Sequence, residues 1–199
     1  MVSTLLDRLF IPAALVVLLA VTPATAEDID DGPEPPAAGG CVLGPQASCP
    51  GADLRHRDLH DLDLRGADLR GADLSRADLR HANLTGAKLA GANLTAADLR
   101  LAFLQGASFR GARMVGANLE FARAAKADFE GADLESANLE MIRANGIRLV
   151  GANLTNSNLQ EAKLYDANMM NAHMEGAKIR FAIFQSAFME GCSGCPFDW

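Results

Sequence analysis

Residues 66–95 read GADLRGADLSRADLRHANLTGAKLAGANLT, a stretch in which the unit Ala-(Asp/Asn)-Leu-x-x returns every five residues. The pattern runs from Ala52 to Glu190 without insertion or deletion. With the central Leu as position i, the column 54, 59, 64, 69 and onward to 189 gives 28 repeats, 18 of them with Leu. The other central residues are Phe, Met or Ile, except Ala124 and Ala144. Position i−2 is Ala in 23 of the 28. A fixed internal period outranks every other signal, because it determines the architecture that all later inferences use.

A helix repeats its faces every 3.6 residues and a strand every 2. A strict five matches neither, so a long helix or a plain sheet would carry the Leu column out of any core. Within one unit, i−2, i−1 and i alternate small apolar, polar and large apolar, a three-residue strand fragment with two side chains on one face. Gly fills i+2 in 12 repeats, as a tight turn requires. Short extended pieces joined by turns wind into a coil that stacks on itself, a quasi-one-dimensional solenoid.

These residues resemble the pentapeptide-repeat family, over about 70% of the chain. The resemblance implies an all-β fold, a right-handed quadrilateral β-helix with four repeats per coil, hence about seven coils, with i and i−2 pointing inward. At roughly 4.8 Å per coil, the ends of such a solenoid lie on the order of 30 Å apart. The scaffold has a core of Leu stacks and no cavity for a substrate, so no enzyme activity is expected. No cofactor is implied either.

Residues 1–26 read as a secretory signal peptide: Arg8, an apolar stretch from Leu9 to Val21, and Ala24-Thr25-Ala26 as an A-x-A cleavage site after Ala26. The apolar run is short for a membrane span, so no stable membrane insertion is expected after cleavage. The expected location is periplasmic or secreted. Residues 27–40, EDIDDGPEPPAAGG, have the acidic, Pro/Gly-rich composition of a linker. Residues 41–51 are expected to be an N-terminal cap, 52–191 the β-helix and 192–199 a C-terminal cap that includes Phe197 and Trp199. A net charge of −7 makes nucleic acid a poor partner.

Four cysteines in an exported chain suggest disulfides. Pairings that join the two ends of the solenoid exceed the reach of about 7 Å between bridged Cα atoms. That leaves Cys41–Cys49 and Cys192–Cys195, each closing a small loop at one end. Solenoid ends expose core and strand edges and need such covers. A redox or metal role for Cys192-Ser193-Gly194-Cys195 is weakly supported without a thioredoxin-like pattern. His56, His60, Asp61 and His81 fall near one corner of the first coils and have metal-ligating chemistry. Solvated loop histidines account for such a set more simply, and no metal site is assigned.

Residues 20 apart should stack. Ala124 and Ala144 then lie one above the other, with Ile142 and Ile147 nearby at i−2 conserving core volume. At i+2, where side chains should meet solvent, Leu101, Phe121, Met141 and, after Glu161, Phe181 share one column. Beside it at i−1 of the next face run Phe103, Arg123, Arg143, Lys163 and Ile183. A contiguous exposed apolar stripe with Arg and aromatics marks an interaction surface. In the alternative arrangement, Phe121 and Met141 tuck inward over the two alanines. Charge is also graded: i+1 carries Arg55, Arg65, Arg70, Arg80, Arg100 and Arg110 in the first half and Glu120, Glu130, Glu135, Glu140, Glu175 and Glu190 in the second. The Arg residues are placed to neutralise i−1 carboxylates such as Asp53, Asp68, Asp73, Asp78 and Asp98.

Two functional readings follow. The first is an exported, non-catalytic scaffold that binds an unknown protein partner or associates with itself. The alternative comes from the resemblance: quinolone-resistance and gyrase-binding relatives mimic DNA and inhibit a topoisomerase. The export signal, the Arg-rich first half and the short stretch after Glu190, too short for a dimerising helix pair, weigh against it.

Overall fold

The computed structural model describes Ala37–Ala38 and residues 40–196; the signal, most of the acidic segment, Phe197 and Trp199 lie outside the described residues. From Ser48 to Ser193, parallel single-residue bridges join i−1 residues 20 apart, Ser48 to Asp68, Asp53 to Asp73 and so on to His173 and Ser193. Four repeats therefore make one coil. Each bridge has two arms: Asp73 N–H donates to Ala52 C=O at 2.9 Å, and Leu54 N–H donates to Asp73 C=O at 2.7 Å.

The turns repeat as regularly. In each, the N–H three residues on closes back to the central carbonyl, as Ala72 N–H does to Leu69 C=O at 3.0 Å. Every i+2 residue from Gln46 to Gly191 has φ between 54° and 71°. A positive φ only at the third turn residue is the type II pattern, which explains why glycine recurs there. Four central columns result, beginning at Leu54, Leu59, Leu64 and Leu69, one on each of the four faces.

The inward columns are closed to solvent through the middle coils and open partly toward the ends, where Leu62, Ile179 and Met189 are half-buried. Leu54, Leu64 and Leu69 have no exposure, and the same holds for Ala67, Ala72 and Ala82 at i−2. On the Leu69 face the rings of Phe109 and Phe129 stack at 4.6 Å and 15°. Ser157 is the one buried polar side chain among the described residues, and its Oγ donates to Leu154 C=O at 2.7 Å. Ile142 and Ile147 are buried beside Ala124 and Ala144, which fits the expected volume compensation. Among the described residues, no helix is long and apolar enough to cross a membrane.

The N-terminal boundary differs from the sequence expectation. Cys49 occupies the Leu position of one further repeat, and it is buried, with Ser48 already bridged to Asp68. The β-helix thus starts within the stretch read as cap. Ahead of it, β1 (Ala37–Ala38) pairs antiparallel with β2 (Cys41–Val42). The cap therefore begins at least at Ala37, inside the stretch read as linker. Cys41 and Cys49 sit at disulfide distance with Cα atoms 5.6 Å apart, and Cys192 and Cys195 do so at 5.8 Å. Cys195 is buried beside Met174, its Sγ 3.2 Å from Met174 Sδ.

Candidate interaction surface

Two neighbouring faces meet at the corner formed by turns 100–101, 120–121, 140–141, 160–161 and 180–181. Each i+2 side chain at this corner points away from the closed core. Leu101 and Phe121 are each 43% exposed and Phe181 is 68% exposed, while Met141 is half-buried. Phe121 therefore does not tuck inward over Ala124; the column is a surface feature. Its residues hold φ of 60° (Leu101), 58° (Phe121), 54° (Met141) and 61° (Phe181), a region that costs an L-residue on the order of 1–2 kcal/mol.

The basic column lies where the period places it. Phe103, Arg123, Arg143, Lys163 and Ile183 are bridged in succession. Arg123 stands over the Phe103 ring at 4.9 Å from its centre, and Arg180 over the Phe181 ring at 4.6 Å. A shallow groove of about 160 Å³, lined by Phe121, Met141, Arg143, Glu161 and Lys163, joins stripe and ladder. One exposed aromatic went unnoticed in the sequence reading: Phe188, 64% exposed, stands at an i−1 position on the Leu69 face. The signal was available, since i−1 is otherwise polar apart from Phe103 and Ile183.

In the first half, five arginines are neutralised within their own repeat. Side chains at i−1 and i+1 of one strand leave on the same side, so Arg55 reaches Asp53 at 2.6 Å, Arg65 reaches Asp63 at 2.6 Å, Arg70 reaches Asp68 at 2.5 Å, Arg80 reaches Asp78 at 2.5 Å and Arg100 reaches Asp98 at 2.6 Å. The guanidinium hydrogen bonds hold the Asp53 and Asp68 carboxyls down at about 2. A depressed carboxylate contributes stability above its ordinary 3.8, and that contribution is lost as pH falls through about 2. Asp73 departs from the expectation: it takes the Ser75 N–H at 3.0 Å and Asn93 Nδ2 at 3.1 Å. Arg110 has Ser108 in its own repeat, and reaches Asp128 at 3.2 Å and Glu130 at 2.7 Å in the next coil. Arg148 joins the same pair of acids.

The corner with metal-ligating chemistry is composed differently from the sequence expectation. Among the described residues, the His/Cys/Asp/Glu group whose ligand atoms lie within 4.8 Å of one another is Asp58, His60 and Asp78. Of the expected set, His60 and Asp61 approach at 3.8 Å, and His56 and His81 stay outside the cluster. His60 Nδ1 lies 2.5 Å from Asp58 Oδ1, and Asp78 is held by Arg80 through both oxygens. Ion pairing already occupies these groups. The hydrogen bond to Asp58 raises the His60 pKa above its ordinary 6.5, and the same bond lowers Asp58 below 3.8. His60 contributes fully below 6.5 and loses its part as pH rises through its raised value; Asp58 contributes above 3.8 and loses its part as pH falls through its lowered value. The pair is thus complete between about pH 4 and 6.5. NMR titration is expected to place the His60 midpoint above 6.5, and Asp58→Asn to return it to the ordinary range.

A five-residue period, four repeats to a coil and a solid Leu/Ala core define a β-helical solenoid with its chemistry on the outside. The sequence model described as Pentapeptide repeats matches in 8 copies, over 47–86, 77–114, 104–140, 112–149, 144–176 and 157–193. The chain belongs to the pentapeptide-repeat family, and its coil is the right-handed quadrilateral β-helix of that family. Among solved structures it is similar to HetL, a pentapeptide repeat protein involved in heterocyst differentiation regulation from the cyanobacterium Nostoc sp. strain PCC 7120. That likeness has 30% identity over 73% of this chain and 75% of that one, with TM-score 0.43. It is also similar to QnrB1, a plasmid-mediated fluoroquinolone resistance protein, at 18% identity over 73% and 90% of the two chains, TM-score 0.42. A pentapeptide repeat protein from the Arabidopsis thaliana thylakoid lumen matches at 27% identity over 67% and 66%, TM-score 0.18. No curated protein matches.

Proposed function

We propose that this protein is an exported, non-catalytic scaffold that presents the corner between its Leu59 and Leu64 faces to a protein. The apolar column carries the reading. Leu101, Phe121, Met141 and Phe181 are the four large apolar residues at i+2, a position otherwise held by Gly, Ala or polar residues. Each carries the backbone cost of a positive φ, and three are exposed apolar surface as well. Neither cost serves the fold, which leaves contact with another molecule as the use of these side chains. The leader-like residues 1–26 and the two cysteine pairs support export. The non-catalytic part rests on a core with a single buried polar side chain among the described residues and on the Arg–Asp pairing of five first-half repeats. The Arg–Asp pairing of the first half favours this reading over DNA mimicry, because it removes free negative charge from that half.

The double variant Phe121→Asp/Met141→Asp is expected to keep the circular dichroism and melting of the parent while losing the products of crosslinking in the native compartment. The same preparation, read by mass spectrometry without reductant, is expected to start at Glu27 and carry two disulfides. A wild-type chain that captures nothing, or a full-length reduced cytoplasmic species, overturns the reading.

A further inference from the structure

The two sides of the apolar corner differ in sign. On the Leu59 face, Glu120 and Glu140 stand directly before Phe121 and Met141; on the Leu64 face, Arg123, Arg143 and Lys163 stand two residues after Phe121, Met141 and Glu161. Glu140 leans onto its own face, where its Oε2 accepts from Asn158 Nδ2 at 2.9 Å. Among the described residues, neither the glutamates nor the three cations have an ion pair within 4.0 Å. Most of the first-half arginines, by contrast, are paired within their own repeat. Two columns of opposite charge, neither held in an ion pair, therefore flank one apolar column, at matched heights on the coil axis.

We infer that the occupant of this corner is a second copy of the chain, docked side by side and parallel, about a two-fold axis that runs along the solenoid. This deepens the scaffold reading and rests on it. A rotation of 180° about such an axis keeps every coil at its own height and exchanges left with right. Phe121 then meets Phe121 of the second copy, and Met141 meets Met141. Glu120 faces Arg123 of the second copy, Glu140 faces Arg143, and both pairs occur twice, as an isologous contact requires. Glu161, the one charge inside the stripe, comes beside Lys163 of the second copy. A two-fold axis across the solenoid, giving antiparallel rods, sets glutamate column against glutamate column and cation ladder against cation ladder. Like charges placed this way are a strong selector of orientation. A foreign acidic segment satisfies the ladder alone and leaves Glu120 and Glu140 facing a like charge; the second copy satisfies both columns.

Sedimentation velocity of the full native chain over a concentration series tests this. A dimer that forms with rising concentration and weakens as salt is added is expected, because screening at 0.1 M acts over about 10 Å. Glu120→Arg/Glu140→Arg and Arg123→Glu/Arg143→Glu are each expected to dimerise at least about tenfold more weakly, with unchanged circular dichroism. An equimolar mixture of the two is expected to recover the dimer, since each reversed column then meets its complement. Single spin labels at Thr85→Cys or Gln185→Cys, toward opposite ends of one column, report orientation. Both give short distances between copies in the parallel arrangement, and both give distances of tens of ångströms in an antiparallel one. A monomer at every concentration, a dimer indifferent to both reversals, or long label distances overturns the inference. If the monomeric wild type still captures another protein through Phe121 and Met141, the scaffold reading stands and only the second copy is excluded. If it captures nothing and remains a monomer, both fall.

Discussion

Phe129→Ala is expected to lower the free energy of unfolding by about 3–5 kcal/mol, the largest effect of any single truncation considered for this chain. Phe129 has no exposure and its ring lies 4.6 Å from Phe109, 15° from parallel, in the inward column of the Leu69 face. Removing it deletes the transfer free energy of a full aromatic side chain and leaves a gap that the coils above and below can close only in part. The β-helix backbone resists collapse, because Phe129 N–H is bonded to Arg148 C=O at 2.7 Å and the adjoining i−1 residue, Asp128, is bridged to both Ser108 and Arg148.

In a solenoid each coil touches only its neighbours, so the damage should be local before it is global. Hydrogen exchange is expected to lose protection first around residues 108–149 and least near the two ends. Phe129→Leu restores the commonest residue of the column and is expected to cost less than about 1.5 kcal/mol. A loss below about 1 kcal/mol for Phe129→Ala, or one spread evenly along the chain, would falsify the picture of an aromatic pair locked into one column.

The fold was legible because it depends on backbone sterics that repeat. Alternation within each unit put i and i−2 on one side, with turn residues at i+2; four units per coil came from the family resemblance, and the bridges 20 apart from Ser48 onward agree with it. Positions of single columns were legible for the same reason, so Leu101 through Phe181 and Arg123 through Lys163 stand where counting placed them. What counting could not supply was the choice a long side chain makes among several acceptors. Arg110 finds no acid at Ser108 and reaches into the next coil, and Asp73 goes to Ser75 and Asn93. His60 turns to Asp58 within its own strand in preference to the neighbouring histidines. Cys49 was read as cap because its disulfide chemistry hid its packing role: a buried thiol-derived side chain fills a Leu position adequately.

Gly91→Val is expected to cost about 1–3 kcal/mol, whereas Ala90→Val one residue earlier is expected to be near neutral. The added atoms are nearly the same in the two variants, and a Cβ at Gly91 meets nothing within 4 Å. The difference isolates backbone conformation: Gly91 holds φ 67°, where a β-branched side chain is a true outlier. The sequence already obeys this rule. Thr85, Thr95, Val115, Val150 and Thr155 all occupy i+1, and no β-branched residue occupies i+2 anywhere from Gln46 to Gly191. The converse substitution separates fold from function. Phe121→Gly relieves the strain at φ 58° and removes exposed apolar surface, so it is expected to leave stability unchanged or raise it by up to about 1 kcal/mol. In the same variant, association through the corner should be lost. If Phe121→Gly instead destabilises the chain by more than about 1 kcal/mol, its ring is held by packing along the column, and the case for a surface kept for contact fails.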